Sequence, residues 1–185
     1  ACTSEECAAL LHEAGTRGLS LCVCYVLRYH PYYNSLKAIL EKGDFGKLIS
    51  VRHTINVGLD RMSHTFVRGF WSRADESSPI IVSKASHDID LLYWLIGSRF
   101  KVLASEGVLN RYRKENAPKG AAQRCILCGI EKECRFSAVD LYLRRDDWNR
   151  SFDIREGDSK EDSVMRELNE GRFGRCVYDC DNDVV

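Results

Sequence analysis

The sequence predicts a mixed fold of the α/β (α+β) class, on three observations. Residues 19–26 form a continuous apolar run of strand length, which is the pattern of a strand buried on both faces, as in a parallel sheet. Residues 47–57 alternate: Ile49, Val51, His53, Ile55 and Val57 fall on one face, and Ser50, Arg52, Thr54 and Asn56 on the other. Residues 77–97 are the longest helix-compatible apolar run in the chain.

In chain order, Thr3 followed by Glu6 is a capping box, and the helix it opens is expected to run to Gly15 or Gly18 with Leu10, Leu11 and Ala14 on its core side. After the strand at 19–26, Pro31 blocks helix continuation from upstream. A helix over 33–42 then carries Leu36, Ile39 and Leu40 on one face and stops at Gly43. Within the alternating run 47–57, His53 reads as a sheet-packing residue. Residues 58–78 show no sustained period and read as a long loop held by Phe66, Phe70 and Trp71. His64, Arg68 and Trp71 suit a sugar-like or acidic substrate, since planar donors and aromatic faces match such ligands; the alternative is a surface loop pinned by its aromatics. Residues 100–109 are expected to form another strand, 111–123 an exposed basic excursion, 146–162 a charged linker or mobile loop, and 163–170 a short helix closed by Gly171.

The chemistry concentrates on the helix at 77–97. Its ionisable residues are Lys84, His87, Asp88 and Asp90, and at helical spacing Ile80, Lys84, His87, Leu91 and Trp94 share one side. A buried lysine and imidazole three residues apart cost desolvation unless they have partners or a task. Asp88 and Asp90 also suit the positive end of the helix. A metal site from His87, Asp88 and Asp90 is disfavoured, because adjacent helical residues point in different directions.

Composition bounds the partners. The 185 residues are 44% hydrophobic and carry 27 acidic and 27 basic side chains, a balance that argues against an extended nucleic-acid footprint or a polybasic membrane surface. No apolar run reaches the roughly eighteen residues of a membrane span. Nine cysteines is an odd count in a chain too large to depend on disulfides, which fits a reduced, cytoplasmic setting. Cys22 and Cys24 read as small core hydrophobes, and Cys2 and Cys7 belong to no constellation. Cys125-x2-Cys128-x5-Cys134 forms a short knuckle to which Cys176 or Cys180 adds a fourth thiolate, the arrangement of a structural zinc; free reduced cysteines are the alternative.

The segment His87-Asp88-Ile89-Asp90-Leu91-Leu92-x-Trp94-Leu95-Ile96-Gly97 resembles the signature helix of the glucose/fructose oxidoreductase and inositol dehydrogenase family of NAD(P)-dependent oxidoreductases, often called Gfo/Idh/MocA. Three further segments resemble that family. They are Val26-Leu27-Arg28-Tyr29-His30-Pro31, the helix-glycine-strand step at 39–49 with Gly43 and Gly46, and the ending Gly174-Arg175-Cys176-Val177-Tyr178 to Asn182-Asp183-Val184-Val185.

The resemblance implies that residues 1–30 end a dinucleotide-binding Rossmann domain. Residues 31–185 would then be a substrate-binding and oligomerisation domain built on an open, mostly antiparallel sheet covered by helices. It implies a sugar, polyol or related hydroxy compound as substrate, NAD or NADP as cofactor, and a homo-oligomer joined through the open sheet face. His87 would take the substrate's hydroxyl proton, with Lys84 beside it and Arg28 and Asp88 among the substrate contacts. The family commonly has an aspartate four residues before this histidine, and Ser83 stands there. Either Lys84 takes over its role, or the reaction differs or is lost.

None of the 13 glycines forms G-x-G-x-x-G, and the family's glutamate-lysine-proline motif is absent. With Ala1 opening in what reads as mid-fold, the chain is expected to be a piece of a longer protein that does not bind NAD(P) or transfer hydride alone. The alternative function is a non-catalytic, zinc-stabilised interaction or oligomerisation domain.

Overall fold

Several helices begin or end where the sequence supplies caps. The computed structural model describes residues 3–150 and 152–183, so Cys2, Val184 and Val185 lie outside it. Helix α1 (Ser4–Thr16) opens on the expected capping box, with Glu6 N–H donating to Thr3 Oγ1 at 3.2 Å and Thr3 N–H to Glu6 Oε2 at 3.3 Å. Helix α2 (Pro31–Lys42) uses Pro31 in its first turn and ends on Gly43, whose φ of 71° is left-handed. After the single turns α3 (Leu59–Arg61) and α4 (Ile80–Ser83), α5 (Ala85–Ile96) closes on Gly97 in the same way. Helix α6 (Lys160–Asn169) starts three residues earlier than expected, because Ser159 and Asp162 form a second capping box.

The chain divides into two compact units, Ala1–Thr54 with Ile81–Ser105 and Ile55–Ile80 with Glu106–Val185. In the first, α2 and α5 touch, and Lys37 Nζ sits 5.8 Å from the centroid of the Trp94 ring. Leu91 and Leu95 are the buried residues of α5, and its ionisable groups are half-buried rather than enclosed. Neither α1 nor α2 buries a residue; Leu10 and Leu11, expected on a core side, are 51% and 63% exposed.

The expected sheet does not form. Among the described residues there is no strand, neither the end of a Rossmann domain nor an open antiparallel sheet covered by helices. An isolated antiparallel bridge, Arg124 to Arg175, is the β pairing present among them. The sheet face expected to carry a second copy of the chain is therefore absent too. The apolar runs exist, but a strand requires a neighbour for its N–H and C=O groups, and alternation does not name one. Residues 19–25, 47–57 and 100–109 form no ladder and no regular element, and leave Val23, Ile49 and Val102 largely exposed. Among the described residues no helix is long and apolar enough to cross a membrane.

The second unit holds most of the core. One cluster gathers Cys125, Ala138, Leu141, Tyr142, Phe152, Val164, Leu168 and Phe173, and a second gathers Val67, Tyr112, Phe136, Val177 and Cys180. Two segments expected as loops belong to it. Residues 58–78 contain α3 and a π-helical segment, Met62–Arg68, that buries Ser63, Phe66, Val67 and Arg68. The wider π turn has no 3.6-residue period to betray it in sequence. In the segment 146–162, expected as a linker or mobile loop, Asn149 is buried and donates from Nδ2 to Tyr142 O at 2.7 Å, and Phe152 is buried in the first cluster.

Gly69 ends the π-helical segment because the backbone folds back on it: a Cβ there would lie 2.5 Å from His64 O and 2.6 Å from Thr65 O. Gly69→Ala is expected to destabilise the protein by about 1–3 kcal/mol. Gly129→Ala, where a Cβ meets nothing within 4 Å, should stay within about 0.5 kcal/mol. Urea denaturation of the two variants checks the contrast.

Candidate functional site

The first unit places its ionisable residues on and around α5. Arg28, in the 3-10 turn Val26–Tyr29, donates from Nε to Asp90 Oδ2 at 2.8 Å and from Nη2 to Asp90 Oδ1 at 2.5 Å, a two-pronged guanidinium–carboxylate pair. That hydrogen bonding raises the pKa of Arg28 further. His53 Nε2 lies 3.0 Å from Asp88 Oδ1, so His53 is the partner of a carboxylate and not a sheet-packing residue. Both acids of α5 are thus occupied, and so are the Arg28 and Asp88 expected at the substrate.

The two remaining groups differ. Lys84 sits at the start of α5 with no capping side chain, and the His87 N–H donates to the Lys84 carbonyl at 3.3 Å. The imidazole of His87 meets the Tyr25 ring edge to face at 5.4 Å. Neither the Lys84 ammonium nor the His87 imidazole has a hydrogen-bond or ion-pair partner among the described residues, and both are half-buried. A half-buried imidazole held by an aromatic edge and left with its nitrogens free can accept a proton from a ligand.

In the second unit, His64, Arg68 and Trp71 do not form one binding surface. Trp71 is 44% exposed. His64 stacks on Phe173 at 4.6 Å and 14° and contacts Tyr142 Oη through Nδ1 at 3.0 Å. Burial, with Arg68 nearby, lowers its pKa from 6.5 to about 4, while burial raises that of Tyr142. Arg68 is completely buried. Its Nε donates to Arg175 O at 2.7 Å, its Nη2 to Phe136 O at 2.6 Å and to Cys125 Sγ at 3.5 Å, and its Nη1 has no partner. Burial works against its charge, Cys125, Tyr142, Cys180 and Cys176 favour it, and the net direction is upward.

Around Arg68 the structure gathers the cysteines that spacing singles out. Cys125, Cys128, Cys134 and Cys176 line one cavity of about 10 Å³ together with Arg68, Ile130 and Phe136. The knuckle rests on two short 3-10 turns, Cys125–Leu127 and Glu131–Glu133, and the Arg124–Arg175 bridge brings Cys176 alongside, its N–H donating to Gln123 O at 2.7 Å. Burial raises the thiol pKa values of Cys134, Cys176 and Cys180, the last to about 11. Cys180 is not among the residues lining the cavity and donates to Cys176 O at 3.1 Å. Among the described residues no three ligand-type side chains are grouped closely enough to hold a metal as they stand. The pairings Arg28–Asp90 and His53–Asp88 join residues 62 and 35 positions apart, and nothing in the local sequence pointed to them.

The chain is 25% identical over 129 residues to the Bacillus subtilis (strain 168) protein named "Putative oxidoreductase YteT"; the match covers 67% of this chain and 29% of that protein. The chain therefore spans well under half the length of the relative it matches. No family model and no solved structure matches it.

The depressed His64 has a consequence for stability. Its folded pKa of about 4 lies below its ordinary 6.5, so the unfolded chain takes up the proton first as pH falls. The stability this neutral histidine confers is present above about pH 6.5 and is lost progressively toward about pH 4. His64→Gln is expected to flatten that part of the stability curve, measured by urea unfolding across the window. An NMR titration should find the His64 ring still neutral at pH 5.5.

Proposed function

We propose that this chain is part of an oxidoreductase that acts on a hydroxy compound, a sugar or polyol, with His87 as acceptor of the substrate's hydroxyl proton and Lys84 orienting that hydroxyl. The observation that carries the proposal is the contrast on α5: both acids are tied to partners, whereas Lys84 and His87, three residues apart, are left for a ligand. The similarity to a protein named as an oxidoreductase over 67% of the chain supports the reaction class. The resemblance of the α5 segment to the Gfo/Idh/MocA signature helix supports the choice of histidine.

In this proposal NAD or NADP supplies the hydride acceptor, and the chain itself does not fit that group. It has no glycine-rich turn for the pyrophosphate, and its basic side chains do not replace a directed array of backbone donors. The cofactor then belongs to a part of the protein outside these residues. What the chain contributes is proton handling. His87 receives the hydroxyl proton as the alcohol becomes a carbonyl, while the Tyr25 edge holds the ring in place. The Lys84 ammonium, a three-proton donor, aligns the oxygen. A second reading, a metal-stabilised binding module without catalysis, is favoured by the four cysteines around one cavity.

The test is His87→Asn in a full-length protein carrying this chain. Turnover of the hydroxy substrate is expected to fall by about a hundredfold or more, with loss of the acid limb of the rate profile and an unchanged circular dichroism spectrum. A normal rate with an unaltered pH profile removes His87 from the mechanism.

A further inference from the structure

The core of the second unit contains a cation without an anion. Arg68 is fully buried, two of its three guanidinium nitrogens are bound to main-chain carbonyls or a thiol, and the third has no hydrogen-bond partner among the described residues. The groups that favour its charge are cysteines and a tyrosine, with no carboxylate among the leading ones. An uncompensated buried charge is costly, so the surroundings of Arg68 are expected to carry negative charge in the working protein. Cys125, Tyr142, Cys180 and Cys176 act on it electrostatically, Cys125 Sγ lies 3.5 Å from its Nη2, and Cys128, Cys134 and Glu131, the last held by Arg144, share the lining of the same cavity.

We propose that Cys125, Cys128, Cys134 and Cys176 bind one zinc-class divalent ion as four thiolates, with Arg68 as the buried counter-charge of the centre. The spacing of two and five residues between the first three cysteines makes a knuckle, and the Arg124–Arg175 bridge delivers the fourth from 42 residues beyond Cys134. Arg68 clasps both pieces, binding the carbonyl of Phe136, two residues after Cys134, and that of Arg175, immediately before Cys176.

The cavity of about 10 Å³ is the size of a single small guest, which fits one ion and not an iron–sulfur cluster. Its remaining lining is largely apolar, including Pro118, Ala121, Ala122, Ile130, Phe136 and Val177, so the thiols are the natural ligands for a soft or borderline cation. Binding replaces four S–H bonds by four sulfur–metal bonds of about 2.3 Å, releases four protons to solvent, and leaves a centre of charge minus two beside the guanidinium. As placed, Cys125 donates toward Arg175 O at 3.9 Å and Cys128 toward Gly120 O at 4.0 Å, so the proposed site requires rotation about χ1 to aim the four sulfurs at one point. Cys180 stays outside the ligand set, bound to the Cys176 carbonyl.

Elemental analysis of the purified chain, expressed with zinc in the medium, tests the proposal. It should find about one zinc per chain, and four thiols should resist a thiol reagent until a chelator is added. Cys128→Ser is expected to reduce the metal content at least tenfold, whereas Cys180→Ser retains it. Should Cys128→Ser fail to fold, cobalt titration of chelator-treated wild-type chain decides instead, with the expected result the thiolate-to-cobalt absorption of a tetrahedral four-sulfur site at one equivalent. Three results overturn the proposal: metal-free protein whose thiols all react freely and whose melting ignores chelator and added zinc; iron with acid-labile sulfide; or loss of metal in Cys180→Ser with retention in Cys128→Ser.

Discussion

The second unit depends on one buried guanidinium. Arg68 ends a π-helical segment and reaches the main chain on either side of it, at Phe136 and at Arg175, so one side chain joins three stretches far apart in sequence. Two hydrogen bonds from a charged donor to main-chain carbonyls are stronger than neutral ones, and their low-dielectric surroundings strengthen them again. The same surroundings make the unbonded Nη1 and the uncompensated charge expensive. The thiolate centre proposed above would answer that cost and tie the geometry of the knuckle to the identity of residue 68. Lysine could not substitute, because a point charge on a flexible stem cannot span two carbonyls in a fixed fork.

Much of the helical punctuation was legible in the sequence. Thr3 and Glu6, Pro31 and Gly43, and Gly97 act through local backbone chemistry, and each sits where its type demands. That no sheet forms among the described residues was not legible, because strands are relational. Residues 47–57 have the pattern of a strand and no ladder, and Ile49 stays 87% exposed. The π-helical segment was missed for the opposite reason: it is strongly structured, but its wider turn scatters Phe66, Val67 and Arg68 across any helical template. Arg68 itself was taken for a substrate contact, since nothing local distinguishes an arginine on a loop from one closing a core.

Of the candidate sites, the knuckle was the more legible. The spacing of Cys125, Cys128 and Cys134 named three of the residues that line the cavity, and the tail was expected to add one of two more. Cys176, the tail cysteine preferred in sequence, is brought beside the knuckle by the Arg124–Arg175 bridge, a contact between segments that sequence does not connect. On α5 the sequence marked His87 and Lys84, but it could not show that Arg28 and His53 would occupy the two acids. That pairing turns a cluster of charges into two satisfied pairs and two open groups.

Arg68 is proposed as the counter-charge of an anionic centre, and the coupling between residue 68 and zinc measures this directly. Unfolding free energies are compared for wild type and Arg68→Met, each with zinc bound and after chelation. Removing the guanidinium is expected to cost more in the zinc-bound protein than in the metal-free protein, because the thiolate centre then loses its compensating charge. An equal cost in both forms would contradict it and reduce Arg68 to a clasp between two carbonyls.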